Sequence, residues 1–135
     1  DRGPWENYSD PKHSAMLARY HSTVTDQYVP YIVPQEHGNK TDVRWMKLHN
    51  RKGSEVTFAS TKPMNASASH YTAADFYGAK HTSDLDPQPE VHVNLDLVQR
   101  GLGTGSCGPD ALPRYRILPG EYQFDFTVSP KVGVN

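Results

Sequence analysis

Alternation of apolar and polar residues with a period of two is the feature that most constrains the fold of this chain. Residues 122–129 read Tyr-Gln-Phe-Asp-Phe-Thr-Val-Ser, the pattern of a half-buried β-strand. The turn-forming sequence Leu-Pro-Gly-Glu at 118–121 precedes this segment, and the apolar residues at 115 and 117 predict a partner strand. We therefore predict a β-hairpin from these two segments.

Other segments also favour strands. Residues 91–98 alternate in the same way, and residues 42–50 and 54–60 flank the turn-forming Arg51-Lys52-Gly53, which predicts a second hairpin. Residues 27–33 are rich in Tyr, Val and Ile, but the prolines at 30 and 34 predict an edge strand or an extended loop.

Helix signals are few. Ser9 is a candidate N-cap for a short helix over 11–20, and Thr72 for another over 73–79. No internal repeat or domain boundary is visible. The sequence predicts a single all-β domain over residues 1–135, with one or two short helical turns.

Composition excludes several functional classes. The net charge is −1 with acids and bases intermixed, so the chain has no basic footprint for nucleic acid and no polybasic membrane patch. No apolar run approaches the ~20 residues that a membrane-spanning helix needs. The single cysteine, Cys107, excludes an internal disulfide. We therefore expect neither a nucleic acid nor a membrane as partner, and the compartment stays open between cytoplasm and periplasm.

Four glycines crowd residues 101–109, which read Gly-Leu-Gly-Thr-Gly-Ser-Cys-Gly-Pro. Loops of this kind can bind phosphate through backbone N–H groups, but the Lys-Ser/Thr pair and the following helix of such sites are missing. A tight irregular loop that needs positive φ is the simpler interpretation. Ordered loops of this length are often functional.

The titratable residues form no recognisable catalytic or metal-binding pattern. The seven histidines are scattered, without the three- or four-residue spacing that places two metal ligands on one helical face. No local motif supports Cys107 as a nucleophile. The acids could include a glycosidase pair, but spacing alone places no two of them together.

Four blocks resemble one family. Residues 3–8, Gly-Pro-Trp-Glu-Asn-Tyr, are similar to a G-P-x-E-N-Y-x-D-R segment of the large bacterial β-galactosidases of glycoside hydrolase family 2. Residues 28–38 resemble that family's Y-x-P-Y-x-x-P-x-E-N-G, with His37 in place of the usual Asn. Residues 94–103 resemble its L-N-x-D strand and Gly-rich loop, and residues 115–126 its final hairpin.

The resemblance implies the fold and the partners. The region would be the C-terminal half of the small-chain, last domain, an antiparallel β-supersandwich similar to galactose mutarotase. The family's catalytic Glu pair and its Mg²⁺ and Na⁺ sites lie mainly on a separate barrel domain, so this chain is expected to hold no catalytic residue, no metal and no cofactor. The remainder of the β-galactosidase chain and a galactoside are the implied partners. A half-sandwich leaves an apolar face uncovered, so we also expect self-association.

The resemblance also implies a site. In the family the Gly-rich loop contributes to the active-site rim and carries a Trp that stacks on sugar, and Cys107 occupies the matching position here. The expected substrate-binding residues are Gly103, Thr104, Gly105, Ser106, Cys107 and Gly108. Asp96, Gln99 and Arg100 are expected to support the loop from beneath, with a structural Asp96–Arg100 ion pair as the alternative. Asn7, Glu36 and Arg44 match family positions that buried hydrogen bonding explains equally well.

Two other functions are compatible with this sequence. A stand-alone carbohydrate-binding module would need an exposed aromatic platform. An epimerase resembling a mutarotase would need a His and a carboxylate in one cleft, for which His92 or His81 with Asp96 are the candidates.

Overall fold

The computed structural model describes residues 1–103 and 108–133, which form an antiparallel β-structure with few helical turns. One short α-helix, α1, spans Ala73–Gly78, and 3-10 turns lie at Thr25–Gln27, Thr82–Asp84 and Pro113–Tyr115. The strands are β1 (Arg2–Gly3), β2 (Met16–Leu17), β3 (Lys40–His49), β4 (Glu55–Ser69), β5 (His92–Asp96) and β6 (Phe126–Lys131). The all-β prediction is confirmed, and the arrangement is consistent with a β-sandwich.

The long strand β4 organises the main sheet. β3 pairs with β4 along one edge. On the other edge, β6 pairs with the first part of β4, from Glu55 to Ser60, and β5 pairs with the last part, from Asn65 to Ser69. β5 and β6 therefore lie on the same side of β4, at its two ends.

The core lies on one face of this sheet because side chains alternate between the two faces of a strand. Val43, Met64 and Ala66 form the buried cluster, and Met64 is only 1% exposed. Four partly buried apolar residues pack against this cluster: Met46, Phe58, Leu95 and Phe124. The small size of this cluster agrees with the low apolar content of the chain, 36%.

The apolar face continues onto β6 and becomes open there. Val128 lies opposite Phe58 and Phe126 opposite Ser60 in the register of β4 and β6. Phe126 is 47% exposed and Val128 is 52% exposed. We call the residues Phe58, Phe126 and Val128 the open apolar face. Such contiguous apolar surface is typical of a surface that another polypeptide covers.

Four local predictions are confirmed. β3 and β4 form the hairpin predicted around Arg51-Lys52-Gly53, and β5 lies within the predicted strand 91–98. Thr72 caps α1: its side chain accepts a hydrogen bond from the Asp75 N–H, and the Asp75 carboxylate accepts one from the Thr72 N–H. Within the segment 27–33, the residues after the 3-10 turn at Thr25–Gln27 form a loop, in agreement with the prolines at 30 and 34.

The predicted C-terminal hairpin is wrong. Residues 122–125 are not in a strand, and β6 pairs with β4 instead of with 115–117. The segment at Pro113–Tyr115 is a 3-10 turn with Pro in its first turn. Proline removes an N–H donor, so this segment is a poor sheet partner, whereas the free edge of β4 offers a full ladder of hydrogen bonds.

The predicted helix over 11–20 is also wrong. Met16–Leu17 forms β2 and pairs with β1. The guanidinium of Arg2 donates to the Ala15 carbonyl, and Arg2 and Lys12 both bind the Asp42 carboxylate. These charged contacts hold the segment in an extended path. An isolated helix of this length is only marginally stable, so a helix over 11–20 does not compete with them.

Within the described residues, no helix has the length and apolar character required to cross a membrane.

Candidate functional site at the glycine-rich loop

The structure describes the two stems of the glycine-rich loop. Gly103 and Gly108 are among the described residues, whereas Thr104, Gly105, Ser106 and Cys107 lie outside them. The first stem follows β5 directly and ends at Gly103, and the second stem runs from Gly108 to Ala111.

Asp10 holds the first stem. Its Oδ1 accepts a hydrogen bond from the Leu102 N–H at 3.0 Å, and its Oδ2 accepts one from the Gly103 N–H at 2.6 Å. Hydrogen bonds from backbone N–H groups to a carboxylate are stronger than neutral ones. One side chain from the N-terminal region therefore fixes the backbone at the start of the loop.

Close backbone contact explains two of the glycines. The Gly101 N–H donates to the Tyr115 carbonyl at 2.7 Å, and a Cβ at Gly101 would lie 2.7 Å from the Tyr115 Cβ. Gly103 has φ +60°, and its Cβ would lie 2.6 Å from the Ala111 nitrogen. The two stems thus approach each other too closely at Gly103 for a side chain there.

Asp110 joins the second stem to the first. Its carboxylate accepts hydrogen bonds from Arg100 at 2.6 Å and from the Ala111 N–H at 2.7 Å. Arg116 lies 3.5 Å from the same carboxylate and donates to the Ala111 carbonyl at 2.7 Å. The hydrogen bonds from Arg100 and Ala111 hold the pKa of Asp110 below its ordinary value, so this bridge is ionised at neutral pH.

The three predicted supporting residues take different roles. Arg100 pairs with Asp110, and Asp96 accepts a hydrogen bond from the Gln99 amide at 2.9 Å. The alternative of an Asp96–Arg100 ion pair is therefore wrong. Asp96 is the last residue of β5 and lies opposite Asn65 of β4. Arg100 lies beyond the end of the strand, in the first stem, next to Asp110.

Sequence reasoning missed Asp10, Asp110, Tyr115 and Arg116 as parts of this site. Two signals were available: Asp10-Pro11 and Pro109-Asp110 are dipeptides that mark turns, where Asp commonly accepts backbone hydrogen bonds. Neither signal identifies the glycine-rich loop as the segment that Asp10 binds, because 92 residues separate Asp10 from Leu102.

Asn7 is a buried structural hub. It is 2% exposed, and its amide nitrogen donates to the carbonyls of Arg2 and Trp5. Its amide oxygen accepts hydrogen bonds from the backbone N–H and the hydroxyl of Thr41. These bonds hold the Gly3–Tyr8 block against β3. The structure therefore favours hydrogen bonding as the role of Asn7, whereas Glu36 and Arg44 are exposed.

Glu6 anchors the loop that precedes β3. Its carboxylate accepts hydrogen bonds from the hydroxyls of Tyr8 and Tyr31 and from the Gly38 N–H. Burial alone would raise the pKa of Glu6, but these hydrogen bonds outweigh burial and hold it below its ordinary value. The hydrogen bond to Glu6 raises the pKa of Tyr31 to about 12, so the Tyr31 hydroxyl keeps its proton and is the hydrogen-bond donor.

The residues that an epimerase would use are not brought together. His92 and Asp96 are four residues apart in β5, which places them about 13 Å apart. His92 is paired with the Gln88 amide oxygen at 3.0 Å, and His81 lies 3.6 Å from Asp84. Among the residues that the structure describes, no three His, Cys, Asp or Glu side chains form a group that could hold a metal ion.

Comparison with known proteins identifies the family. A family model described as "Beta galactosidase small chain" matches residues 1–128. β-Galactosidases of Priestia megaterium, the yeast Kluyveromyces lactis and Halalkalibacterium halodurans are 34%, 31% and 36% identical over 131, 132 and 105 residues. These alignments cover 96%, 95% and 75% of this chain but only 13%, 12% and 10% of the relatives. The resemblance of the four sequence blocks is confirmed, and the chain belongs to the β-galactosidase small-chain family.

Proposed function

We propose that this chain is an accessory part of a β-galactosidase and supplies its glycine-rich loop to the rim of the galactoside site. The observation that carries this proposal is the pair of clamped stems. Asp10 holds the start of the loop and the Arg100–Asp110 bridge holds its two stems together. Stems held in this way lose little further conformational freedom when the protein contacts a ligand.

The chemistry would be carried out elsewhere in the protein. A retaining β-galactosidase hydrolyses terminal β-D-galactosyl residues with two carboxylates about 5 Å apart, one as nucleophile and one as acid and then base. We assign both carboxylates, and the Mg²⁺ and Na⁺ sites, to a separate catalytic barrel. In this proposal residues 103–108 act by shape and position. Cys107 offers a small contact at the position where the family carries a flat ring that stacks on sugar.

The proposal predicts that the isolated chain does not hydrolyse a chromogenic β-galactoside. The same chain mixed with the remainder of its polypeptide should restore turnover. The measurement is release of the chromophore by each component alone and by the mixture. Turnover by the isolated chain would contradict the assignment of the catalytic groups to the remainder, and silence of the mixture would contradict the accessory role.

The open apolar face predicts that the isolated chain self-associates. Size-exclusion chromatography with light scattering should show species larger than a monomer at high protein concentration. Val128→Lys should shift the equilibrium towards monomer, because it places a charge on this face. Ser129→Lys is the matched control, since Ser129 points to the opposite face of β6. A monomer at high concentration, or equal effects of both substitutions, would contradict this prediction.

A further inference from the structure

A cavity of about 380 Å³ lies between β3 and residues 17–21, and we call it the Lys40 cavity. Its walls come from these two segments and from Asp1 and Ala66. None of the described residues of the glycine-rich loop or its stems lines this cavity. The cavity is therefore distinct from the site described above.

Three cationic side chains in the wall have no acidic partner. Arg19, Lys40 and Arg44 form no ion pair and no side-chain hydrogen bond with the residues that the structure describes. Two acidic residues, Asp1 and Asp42, lie in the same wall. The Asp42 carboxylate is already bound by two cations of the N-terminal region, and Asp1 forms no ion pair with any of the three cations. The wall therefore carries unpaired positive charge.

Lys40 is the cation with the greatest need of a partner. It lies opposite Ala66 in the register of β3 and β4, so its side chain is on the same face of the sheet as this core residue. Burial lowers the pKa of Lys40, and attraction by Glu6 offsets only part of this effect. The Glu6 carboxylate forms no ion pair with Lys40, because it is bound by two tyrosine hydroxyls and a backbone N–H. A partly buried ammonium without an acceptor is destabilising, whereas the two arginines are exposed to water.

The same cavity has an apolar and aromatic surface. Val43 and Ala66 of the core form part of its wall, and each is 2% exposed. Leu17 and Trp45 also line it, and both are exposed to water. The Arg19 guanidinium lies over the Trp45 ring, 5.4 Å from the ring centre, and its N–H groups have no acceptor among the described residues. The cavity thus combines apolar surface with N–H donors that suit a carboxylate.

These features favour a polypeptide segment over a free anion as the occupant. An inorganic anion would neutralise the cations, but it would leave Leu17 and Trp45 exposed to water. A segment that presents a carboxylate beside apolar side chains matches both parts of the wall. The alignments cover only 13%, 12% and 10% of the related β-galactosidases, so most of a protein of that length lies outside this region.

We propose that the Lys40 cavity is the docking site for a segment of the remainder of the β-galactosidase polypeptide. In this docking site, an Asp or Glu carboxylate of that segment binds the Lys40 ammonium, and neighbouring apolar side chains pack against Trp45 and Val43. The inference rests on the proposal that this chain is one part of a longer β-galactosidase. It is independent of the role of the glycine-rich loop.

Carbodiimide coupling of the full polypeptide tests this contact, because the reagent joins an amine to a carboxylate that touches it. Peptide mass spectrometry should show Lys40 joined to an Asp or Glu outside residues 1–135. Lys40 should also be acetylated at least about tenfold more slowly than Lys80, the matched control, which is exposed and lies outside the cavity. Absence of the coupled product, or equal acetylation of the two lysines, would overturn the proposal. Protection of Lys40 that requires added inorganic phosphate would also overturn it and indicate a small-anion site.

The substitution Lys40→Met gives a second readout, whose sign depends on whether Lys40 is paired. If a carboxylate is docked, Lys40→Met leaves it without a cation, so amide hydrogen exchange in β3 of the full polypeptide should become at least about tenfold faster. If Lys40 has no partner, methionine removes an unpaired charge beside the core. Exchange in β3 would then be unchanged or slower, and this result would overturn the proposal. Lys80→Met should leave exchange in β3 unchanged. Neither readout measures hydrolysis, so failure of the loop to line a galactoside site would alter neither of them.

Discussion

Replacing Asn7 with alanine is expected to lower the free energy of unfolding of this chain by about 3 kcal/mol. The amide of Asn7 bonds two carbonyls, of Arg2 and Trp5, and two donors on Thr41. The site is 2% exposed, so water cannot replace these bonds without a rearrangement. Each buried group left without a partner costs about 1–3 kcal/mol, and local relaxation recovers part of the sum.

Urea unfolding, at a concentration where the chain is monomeric, measures this loss as a lower midpoint at constant slope. Asn94→Ala is the matched control, because the Asn94 side chain is exposed and its amide makes a single hydrogen bond, to the Ser67 hydroxyl at 3.2 Å. Its effect should stay within about 0.5 kcal/mol. Equal midpoints for the Asn7 and Asn94 variants would show that Asn7 is not a structural hub and would reopen a role in ligand binding.

Local signals account for the parts of the fold that the sequence predicts. The turn Arg51-Lys52-Gly53 brings two strand-forming segments that are adjacent along the chain next to each other, so the pairing of β3 with β4 follows from it. The reciprocal hydrogen bonds between Thr72 and Asp75 depend on a three-residue spacing, which is visible in the sequence. In both cases the interacting groups are close along the chain.

Distant pairings account for what the sequence could not predict. The alternation over 122–129 correctly places Phe126 and Val128 on one face, but it carries no information on the partner strand. The edge of β4 lies nearly seventy residues away in sequence, and its pairing depends on the shape of the whole sheet. The clamp of Asp10 on Leu102 and Gly103 has the same origin.

The candidate site combines features that local sequence signals predict with contacts between residues that are distant in sequence. The glycines at 101 and 103 are recognisable from sequence as positions that need close approach or positive φ, and the structure gives the reason for each. The groups that make this approach, Tyr115 and Ala111, lie on the far side of the loop. Arg100 adjoins the loop in sequence, and its partner is Asp110 because the second stem returns to it.

Gly103→Ala is expected to reduce the kcat/KM of the full polypeptide for a β-galactoside about 100-fold. Two physical effects act together at this residue. A residue with a Cβ at φ +60° is strained by about 1–2 kcal/mol, and the added atom would lie 2.6 Å from the backbone nitrogen of Ala111. Because the neighbour is backbone, the two stems must separate. A displacement of about 1 Å at a substrate-positioning loop is enough for a loss of this size.

The matched control is Gly120→Ala, where the nearest atom to the added Cβ is 3.8 Å away on the Tyr122 ring. It should leave kcat/KM within about twofold, since surface changes away from special backbone positions are usually worth less than 0.5 kcal/mol. Expressed as a free energy, the loss of kcat/KM in Gly103→Ala should exceed the loss in the free energy of unfolding. The reason is that the strain falls on the stems and not on the Val43–Met64–Ala66 core. Full activity in Gly103→Ala would show that the loop does not line the galactoside site. Loss of activity in proportion to the unfolded fraction would assign Gly103 a role in folding alone.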